Sequence, residues 1–241
     1  MNMKSELTIV IPAKNEARLL PKLLTSIAQQ DYRLLPSTRV FVADAASTDG
    51  TPALALGFRG QLDVSVILGG LPSVGRNAGA RLACTPYVLF LDADMELRDP
   101  TLIRRALELM QRKRLHCVTT NIWCNEGSPM DKLLYFGSNV SQYLSRFAKP
   151  FSTGMFMLFD STVFRQLGGF DERALYAEDY LLSKKVSRSR FRILRGSALT
   201  TNRRFRKSGH GAIVRLFLKT AVNTWNDQYF LRDQHYWQSA P

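Results

Sequence analysis

The sequence has little that would fit a membrane-spanning, disulfide-linked or zinc-binding protein. No apolar run reaches the roughly 20 residues that a helix needs to cross a bilayer. The three cysteines, Cys84, Cys117 and Cys124, have no metal-ligand spacing and cannot all pair with one another. They favour a reducing compartment, so we expect a cytoplasmic protein. The first apolar segment, Leu7 to Ile11, is too short for a signal peptide and ends at Pro12.

Two phosphate-binding signatures are also absent. No Gly-x-Gly-x-x-Gly pattern follows the first predicted strand, and the chain contains no Walker loop. Their absence argues against dinucleotide binding at that strand and against a P-loop nucleotide site. Any phosphate recognition must therefore use other residues, and the rest of the sequence supplies candidates.

Acidic residues are missing from one long segment of the chain. None occurs between Tyr180 and Asn226, although twelve of the 33 lysines and arginines lie there. The remainder is close to neutral, so the formal net charge of +13 comes almost entirely from this segment. An anionic membrane surface, a phosphorylated substrate and a nucleic acid are the candidate partners of such a segment.

Strand and helix patterns alternate through the first half of the chain, which predicts an α/β fold. The predicted strands are residues 7–11, 39–43, 64–68, 86–91 and 117–122, with helices at 16–29, 73–83 and 101–113, the last capped by Asp99. After residue 125 the pattern changes, with helices predicted at 130–147, 178–186 and 211–225 and strands at 152–159 and 192–200. A hydrophobic content of 45% is sufficient for one sizeable core.

The most informative motif is Asp92-Ala93-Asp94, which follows the apolar strand 87–91. Two desolvated carboxylates at the end of a buried strand are costly unless they are paired. A hard divalent cation removes that cost, because Mg²⁺ and Mn²⁺ prefer oxygen ligands and often take others from substrate phosphates. Ligands bind at the carboxyl ends of strands in α/β sheets. The motif therefore predicts a site for a metal and a diphosphate.

Polar side chains follow two other strands as well. Asn15 and Glu16 come after the first strand, and Asp44 comes after the second, so we expect them to line one crevice with the aspartates. The segment Gly75 to Gly79 is predicted to open a helix whose free N–H groups, with Arg76, favour phosphate. As isolated features, Glu16 and Asp44 could equally be helix caps or turn residues.

Two further segments are candidates for chemistry. Glu178 and Asp179 begin a predicted helix, where acids are favoured by the helix dipole, but an ionised carboxylate there can also act as a general base. The run from Arg203 to His210 is dense in positive charge. It is either a solvated basic loop or a segment that neutralises a leaving diphosphate or contacts an anionic surface.

Taken together, these motifs resemble those of the inverting, nucleotide-sugar-dependent family 2 glycosyltransferases of the A-type fold. The resemblance follows the order of the chain and is weakest after about residue 200. The segments that carry it are Ile11-Pro12-Ala13-Lys14-Asn15-Glu16, Asp44-Ala45-Ala46-Ser47-Thr48-Asp49-Gly50-Thr51, Gly75-Arg76-Asn77-Ala78-Gly79, Asp92-Ala93-Asp94, Gly168-Gly169-Phe170-Asp171-Glu172 and Glu178-Asp179.

The resemblance implies a Rossmann-like, mostly parallel central sheet with flanking helices and a helical C-terminal extension. It implies a catalytic domain over residues 1–210, with a nucleotide-sugar-binding half (1–125) and an acceptor half (126–210), and a basic amphipathic extension over 211–241. Ala45 departs from the family pattern, in which many members have a second acid. This departure puts one contact with the ribose or the base in doubt.

The resemblance also assigns roles to individual residues. Asp179 and Glu178 would be the catalytic residues, with Asp179 as the general base, and Asp94 and Asp92 would bind Mn²⁺ or Mg²⁺. Arg203, Arg204 and His210 are candidates for contacts with the diphosphate or the acceptor. A UDP-sugar is the favoured donor, a GDP-sugar is the second candidate, and a glycan or lipid-linked hydroxyl is the expected acceptor. The residues implied to bind the nucleotide sugar are Pro12, Asn15, Glu16, Asp44, Arg76, Asn77, Asp92, Ala93 and Asp94.

Two other classes of function are weighed against this one. A sugar nucleotidyltransferase has a similar core, but it would need a glycine-rich, basic loop after the first strand, where this chain has Pro12 to Asn15. A nucleic-acid-binding module would use the charge and aromatics of residues 180–226, but no recognition motif is present and the carboxylates would be unexplained. We therefore do not expect nucleic acid as a partner.

A peripheral membrane location is compatible with the enzyme. The predicted helix 211–225 carries an apolar face made of Ile213, Leu216, Phe217 and Val222, next to Arg215 and Lys219. This face and the aromatic segment 130–147 could lie on the cytoplasmic face of a membrane, or both could pack on the domain or on a second subunit. The sequence does not decide between these arrangements, and it does not predict the oligomeric state.

Overall fold

The computed structural model describes residues 5–124 and 126–232. Within these ranges the strands are β1 (Leu7–Ala13), β2 (Arg39–Asp44), β3 (Asp63–Leu68), β4 (Tyr87–Leu91), β5 (Cys117–Cys124), β6 (Phe156–Asp160) and β7 (Phe191–Thr200). They form one sheet in the order β3-β2-β1-β4-β6-β5-β7. Strand β6 is antiparallel to both of its neighbours, and the other pairs are parallel. The predicted mostly parallel α/β sheet is confirmed.

Helices cover both faces of this sheet. They are α1 (Leu20–Ala28), α2 (Thr51–Leu56), α3 (Pro72–Leu82), α4 (Leu102–Lys113), α5 (Pro129–Ser145), α6 (Ser161–Gln166), α7 (Glu178–Ser183), α8 (Arg203–Ser208), α9 (His210–Val222) and α10 (Asp227–Phe230). None of the helices in the described residues is both long and apolar enough to cross a membrane.

The alternation of side chains along the strands builds two cores, one on each face of the sheet. Ile9 and Ile11 of β1 face a core that includes Leu23 of α1 and Leu107 of α4. Val10, between them, faces the other core, which is rich in phenylalanine and lies beneath α3 and α6. The connections therefore change face between β1 and β4. Such a switch point is where α/β sheets bind ligands, outside the carboxyl ends of the strands.

Several predicted element boundaries are wrong for local reasons. Helix α1 begins at Leu20 rather than at residue 16. Glu16 lies in a turn that precedes the helix, and its carbonyl accepts the N–H groups of Leu19 and Leu20. Asp99 does not cap α4, because the N-cap residue of this helix is Thr101. The Asp99 carboxylate instead accepts hydrogen bonds from the backbone N–H and the hydroxyl of Thr101.

Two predictions after residue 150 also need correction. The strand predicted from residue 152 begins at Phe156. The basic run considered as a solvated loop is helical, because residues 203–208 form α8 and α9 begins directly afterwards at His210. Residues 233–241 of the predicted C-terminal extension lie outside the described residues.

Close packing of α3 on β1 leads to a stability prediction. A Cβ atom on Gly79 would lie 2.4 Å from Cγ1 of the fully buried Val10, so Gly79→Ala must displace the helix or the strand. We expect the free energy of unfolding to fall by about 1–3 kcal/mol in a urea titration. Gly57→Ala is the matched control, since Gly57 has helical φ and no atom within 4 Å of its Cβ position. Equal stability of the two variants would contradict this packing.

Candidate functional site

The loops that follow β1 and β2 are tied to each other. Asn15 adopts a positive φ of 53°, its N–H donates to Oγ of Ser47 at 2.8 Å, and its Oδ1 accepts the N–H of Thr48 at 2.9 Å. The N–H of Glu16 donates to Oγ1 of Thr51 at 2.8 Å. These bonds fix the two loops as one wall of the crevice and aim the Glu16 carboxylate at its centre.

Asp44, at the end of β2, has one oxygen without a partner. Its Oδ2 accepts the N–H of Ser47 at 3.0 Å, whereas Oδ1 is buried and has no hydrogen-bond partner. Buried polar atoms are almost always hydrogen-bonded in native proteins, so an unpaired acceptor in a crevice needs an explanation. A bound ligand that offers an N–H or O–H group would satisfy this oxygen.

Arg203 of α8 connects the loop after β1 with the aspartate motif Asp92-Ala93-Asp94. Its guanidinium donates to both carboxylate oxygens of Glu16, at 2.6 and 3.1 Å, and lies 3.9 Å from Oδ2 of Asp94. Asp94 Oδ2 also accepts the hydroxyl of Thr201 at 3.3 Å. Arg203, from the basic C-terminal segment, therefore lies in the crevice.

Burial disfavours the ionised form of two acids in the crevice, Glu16 and Asp94. It raises the pKa of Glu16, although hydrogen bonding to Arg203 opposes the shift. Burial, followed by repulsion from Asp92, raises the pKa of Asp94, against the attraction of Arg203 and Arg204. Asp94 is therefore short of compensating positive charge, and an additional cation would stabilise its ionised form.

Arg76 of α3 holds two parts of the site together. It is only 3% exposed, and its Nη2 donates to Oδ1 of Asp92 while its Nη1 donates to Oε1 of Glu178, both at 2.6 Å. Its guanidinium carbon lies 5.2 Å from the centroid of the Phe170 ring. Burial lowers the pKa of Arg76, but attraction to Asp92 and Glu178 outweighs burial and raises it. A charged arginine thus links the aspartate motif to the start of α7.

The carboxylate of Asp179 is oriented by two backbone groups. The N–H of Gly154 donates to Oδ2 at 2.6 Å, and the N–H of Tyr180 donates to Oδ1 at 2.7 Å. Burial and then repulsion from Glu178 raise the pKa of Asp179 to about 7, although Arg76 and both N–H groups oppose the shift. A carboxylate whose pKa lies near neutrality is well matched to general base catalysis.

Other residues predicted for the site have different surroundings. Ala93 is 4% exposed and packs in the core. The amide of Asn77 is used by the loop after α6, since it accepts the N–H of Phe170 and donates to the Phe170 carbonyl and to Glu172. Gly75 does not open a helix with a free N–H group, because α3 begins at Pro72 and the Gly75 N–H donates to the Leu71 carbonyl.

His210 lies in a structural contact at the start of α9. Its Nε2 is 2.6 Å from Oδ1 of Asp131, and its ring stacks on Phe205 at 5.6 Å between centroids. Asp131 also caps α5 through Ser128 and accepts a hydrogen bond from Asn202. His210 thus connects α9 with α5 and α8.

Of the remaining predicted residues, Pro12 is half-buried beside the crevice. Arg204 is exposed, and its charge is close enough to Asp94 to lower the pKa of Asp94.

Two contacts of the site were missed in the sequence. Thr201 binds Asp94, and Gly154 orients Asp179, but both lie in segments without a recognisable motif. Gly154 has a steric requirement that a sequence does not display, because a Cβ atom there would lie 2.6 Å from Nη2 of Arg76.

Comparison with known proteins identifies the family. A family model described as glycosyl transferase family 2 matches residues 8–168, which include both strand loops, Arg76 and the aspartate motif. The chain belongs to glycosyl transferase family 2. The family and the class of enzyme predicted from the motifs are thereby confirmed, while Asp179 and the basic helices α8 and α9 lie beyond the matched residues.

Two curated glycosyltransferases have sequences similar to less than half of this family 2 chain. Validoxylamine A glucosyltransferase of Streptomyces hygroscopicus is 34% identical over 105 residues, which are 42% of this chain and 24% of that protein. The 4,4'-diaponeurosporenoate glycosyltransferase of Staphylococcus haemolyticus is 28% identical over 113 residues, 45% of this chain and 29% of that protein. The chain therefore matches less than a third of the length of these relatives.

Solved structures confirm the fold of the family 2 chain. The mannosyltransferase PcManGT of Pyrobaculum calidifontis, in complex with GDP-Man and Mn²⁺, has a TM-score of 0.67 over 92% of this chain and 65% of that chain, at 22% identity. Residues 1–349 of TarS of Staphylococcus aureus, in complex with UDP-GlcNAc, give a TM-score of 0.62 over 81% of this chain and 58% of that chain, at 19% identity. The A-type fold predicted from the motifs is confirmed.

The aspartate motif fits a divalent cation that shares its ligands with a diphosphate. Within residues 5–124 and 126–232, no three side chains of His, Cys, Asp or Glu gather into a complete metal site. Mg²⁺ is usually held by only one or two carboxylates together with substrate phosphates, which is the number that Asp92 and Asp94 supply. Asp94 lacks enough nearby positive charge to offset its burial and the repulsion from Asp92, and this favours such a cation.

Proposed function

We propose that this protein transfers a sugar from a nucleoside diphosphate sugar to an acceptor hydroxyl, with inversion at the anomeric carbon. The observation that carries the proposal is the pairing of Arg76 with both Asp92 and Glu178. This pairing brings the predicted diphosphate site beside the predicted base, Asp179, within one buried network. Family membership supports transfer of a sugar over the two alternatives, a nucleotidyltransferase and a non-catalytic binding module.

The donor is proposed to lie between the two strand loops and the aspartate motif. The unpaired Oδ1 of Asp44 would accept an N–H of the base, with Pro12 and Asn15 on the same wall. UDP-sugars remain the favoured donors and GDP-sugars the second candidates, since structural neighbours were solved with UDP-GlcNAc and with GDP-Man. Asp92 and Asp94 would hold Mn²⁺ or Mg²⁺, which supplies positive charge at the diphosphate when it is bound.

Asp179 is proposed to take the proton of the acceptor hydroxyl. The acceptor oxygen then forms a bond to the anomeric carbon as the bond from that carbon to the diphosphate oxygen breaks. The nucleoside diphosphate leaves with the electron pair of the broken bond, and its developing charge lies near the guanidinium groups of Arg203 and Arg204. Glu178, the other catalytic candidate, is proposed to support this step by neutralising Arg76, whose Nη1 donates to its Oε1 at 2.6 Å.

The acceptor is proposed to be a glycan or lipid-linked hydroxyl of the cell envelope. The support for this class is the basic, partly apolar C-terminal segment, which fits an anionic surface better than a small free acceptor. A location on the cytoplasmic face of a membrane is proposed for the same reason, and the free thiols of Cys84, Cys117 and Cys124 are compatible with it.

Donor binding can be tested by thermal shift against a panel of nucleoside diphosphates and their sugars, with and without Mn²⁺. We expect one nucleotide to raise the melting temperature in a metal-dependent manner, because a ligand of the native state stabilises by RT ln(1 + [L]/Kd). Asp94→Ala should abolish the metal-dependent part of that shift.

Asp99→Ala is the matched control, since Asp99 lies outside the crevice and pairs with Thr101 and Arg105. It is expected to lower the melting temperature without changing the shift caused by ligand. An unchanged metal-dependent shift in Asp94→Ala would remove Asp94 from the donor site. No shift with any nucleotide in the wild-type protein would contradict the proposed donor.

A further inference from the structure

Helix α5 exposes most of its large apolar side chains and buries three polar ones, while Tyr135 packs against the core. Asp131, Asn139 and Gln142 are at most 4% exposed. The opposite stripe of the helix and the turn after it expose Met130, Leu133, Phe136, Val140, Tyr143, Leu144 and Phe147. A surface helix of a soluble domain has the reverse arrangement. Phe147 is 79% exposed, so residues 5–124 and 126–232 leave this end of the stripe uncovered.

The buried polar face shows that this orientation of α5 is specified. Asn139 Oδ1 accepts the N–H of Ile122 and its Nδ2 donates to the Ile122 carbonyl, both at 2.9 Å. Gln142 lies within hydrogen-bond distance of Asn139, and Asp131 caps the helix. Turning the apolar stripe inward would leave these polar groups without partners, which is costly in a buried site.

Helix α9 has an exposed apolar stripe of its own. Two residues of the apolar face predicted for this helix lie toward the protein, since Ile213 is buried and Leu216 packs against the buried cluster that contains Phe230. The exposed stripe of α9 and its following turn consists instead of Val214, Phe217, Leu218, Val222 and Trp225. Trp225 is 82% exposed.

The two helices point in the same direction, and contacts join them near their starts and just past their ends. At their starts Asp131 pairs with His210, and just past their ends Lys149 Nζ lies 4.2 Å from the centroid of the Trp225 ring. Their exposed stripes therefore belong to one area, which we call the α5–α9 surface. It is defined by the exposed apolar residues of the two helices and the turns after them. Contiguous apolar areas of this kind mark interaction sites.

Charge indicates the partner of the α5–α9 surface. No acidic residue occurs in residues 132–159, which hold all of α5 after Asp131. None occurs in residues 180–226, which hold α9. The basic residues of the two helices and their turns are Lys132, Arg146, Lys149, Arg215 and Lys219. Apolar and aromatic side chains beside lysine and arginine, without carboxylates, are the composition of helices that lie on anionic membranes. We propose that the α5–α9 surface docks on an anionic lipid bilayer.

The α5–α9 surface is connected to the candidate site. Asn202 binds Asp131 at the start of α5, and its neighbour Thr201 binds Asp94. Beyond the end of α5, the segment that begins at Phe151 leads to Gly154, which orients Asp179. Both ends of α5 are thus connected to site carboxylates through a few contacts. Binding to vesicles itself does not depend on the identity of the donor.

The test is flotation of the full chain with vesicles of phosphatidylcholine, with and without phosphatidylglycerol. We expect the wild-type protein to float only with the anionic vesicles and to float less at high salt. The double variant Leu144→Glu/Leu218→Glu places one charge on each stripe, at positions that are both 63% exposed. Its vesicle-bound to free ratio should fall about tenfold or more, because each change removes buried apolar area and adds repulsion.

Leu82→Glu makes the same change at an exposed leucine of α3 and should float like the wild type. The double variant should also keep the nucleotide-dependent thermal shift, which separates loss of docking from loss of the donor site. Wild-type protein that fails to float with anionic vesicles at low salt would overturn the proposal. So would a dimer in solution that the double variant abolishes, since the surface would then be an interface between copies of the chain.

Discussion

Replacing Asp179 with asparagine is expected to lower turnover by a factor of about a hundred to ten thousand, the usual contribution of a general base. Asparagine has nearly the same shape and keeps one oxygen that can accept the Gly154 N–H, whereas its NH₂ group cannot accept the N–H of Tyr180, so one of the two orienting hydrogen bonds is lost. It has no carboxylate to take the hydroxyl proton. We therefore expect kcat to fall while the KM for the donor changes little. The rate of nucleoside diphosphate release measures both quantities.

The pH dependence of the wild-type rate provides a second test of the same group. Because the pKa of Asp179 is raised to about 7, the base is increasingly protonated below neutral pH. In the wild type, kcat/KM should therefore fall about tenfold per pH unit on the acidic side of this value and level off above it. The residual rate of Asp179→Asn should lack this acidic limb.

Asp63→Asn is the control for both measurements, because Asp63 is exposed at the start of β3, the opposite end of the sheet from the crevice. It should keep the wild-type rate and the wild-type pH profile. If Asp179→Asn turned over at a rate close to that of the wild type, Asp179 would not be the base. A wild-type profile flat from pH 5 to 8 would also oppose the assignment.

Replacing Arg76 with methionine is expected to cause the largest loss of stability. The change leaves Asp92 and the nearly buried Glu178 without the guanidinium that neutralises both. Removing one partner of a buried ion pair typically costs about 3–5 kcal/mol, because a charge stays buried without compensation. Urea unfolding at neutral pH should show this loss as a lower midpoint with an unchanged slope.

Arg104→Met is the matched control for Arg76→Met. Arg104 also bridges two carboxylates, those of Asp31 and Glu108, but on the surface. Solvent screens such pairs, so Arg104→Met should have a much smaller effect. Adding Glu178→Gln to Arg76→Met removes one of the uncompensated charges and should recover part of the stability. If Arg76→Met and Arg104→Met were equally stable, the buried network would not hold the two halves of the site together.

The sequence was sufficient for the sheet and for the carboxylates at its edge. Apolar strands with period-two alternation, each followed by a polar residue, place Glu16, Asp44 and Asp92 at neighbouring carboxyl ends once the parallel topology is assumed. Helix starts were harder to predict, since turns such as the one at Glu16 depend on partners in other loops. The hydrogen bond that the Glu16 N–H donates to Oγ1 of Thr51 is one of these.

The connections between site residues could not be predicted because they join distant parts of the chain. Arg76 and Glu178 are 102 residues apart, and Glu16 and Arg203 are 187 residues apart. Neither pair has a local pattern that indicates the other member. The inverted orientation of α5 was also hidden, since a stripe of apolar residues normally indicates the buried face. Only the contacts of Asn139 and Asp131 reveal which face lies inward.

Transfer by a single displacement, with Asp179 activating the acceptor, determines the configuration of the product. The proton NMR spectrum of the glycoside formed from the donor that the thermal-shift panel identifies tests this directly, because a glycosidic bond does not mutarotate. We expect an anomeric configuration opposite to that of the donor, and loss of this product in Asp179→Asn. A product that retains the configuration of the donor would show that the transfer is not a single inverting displacement.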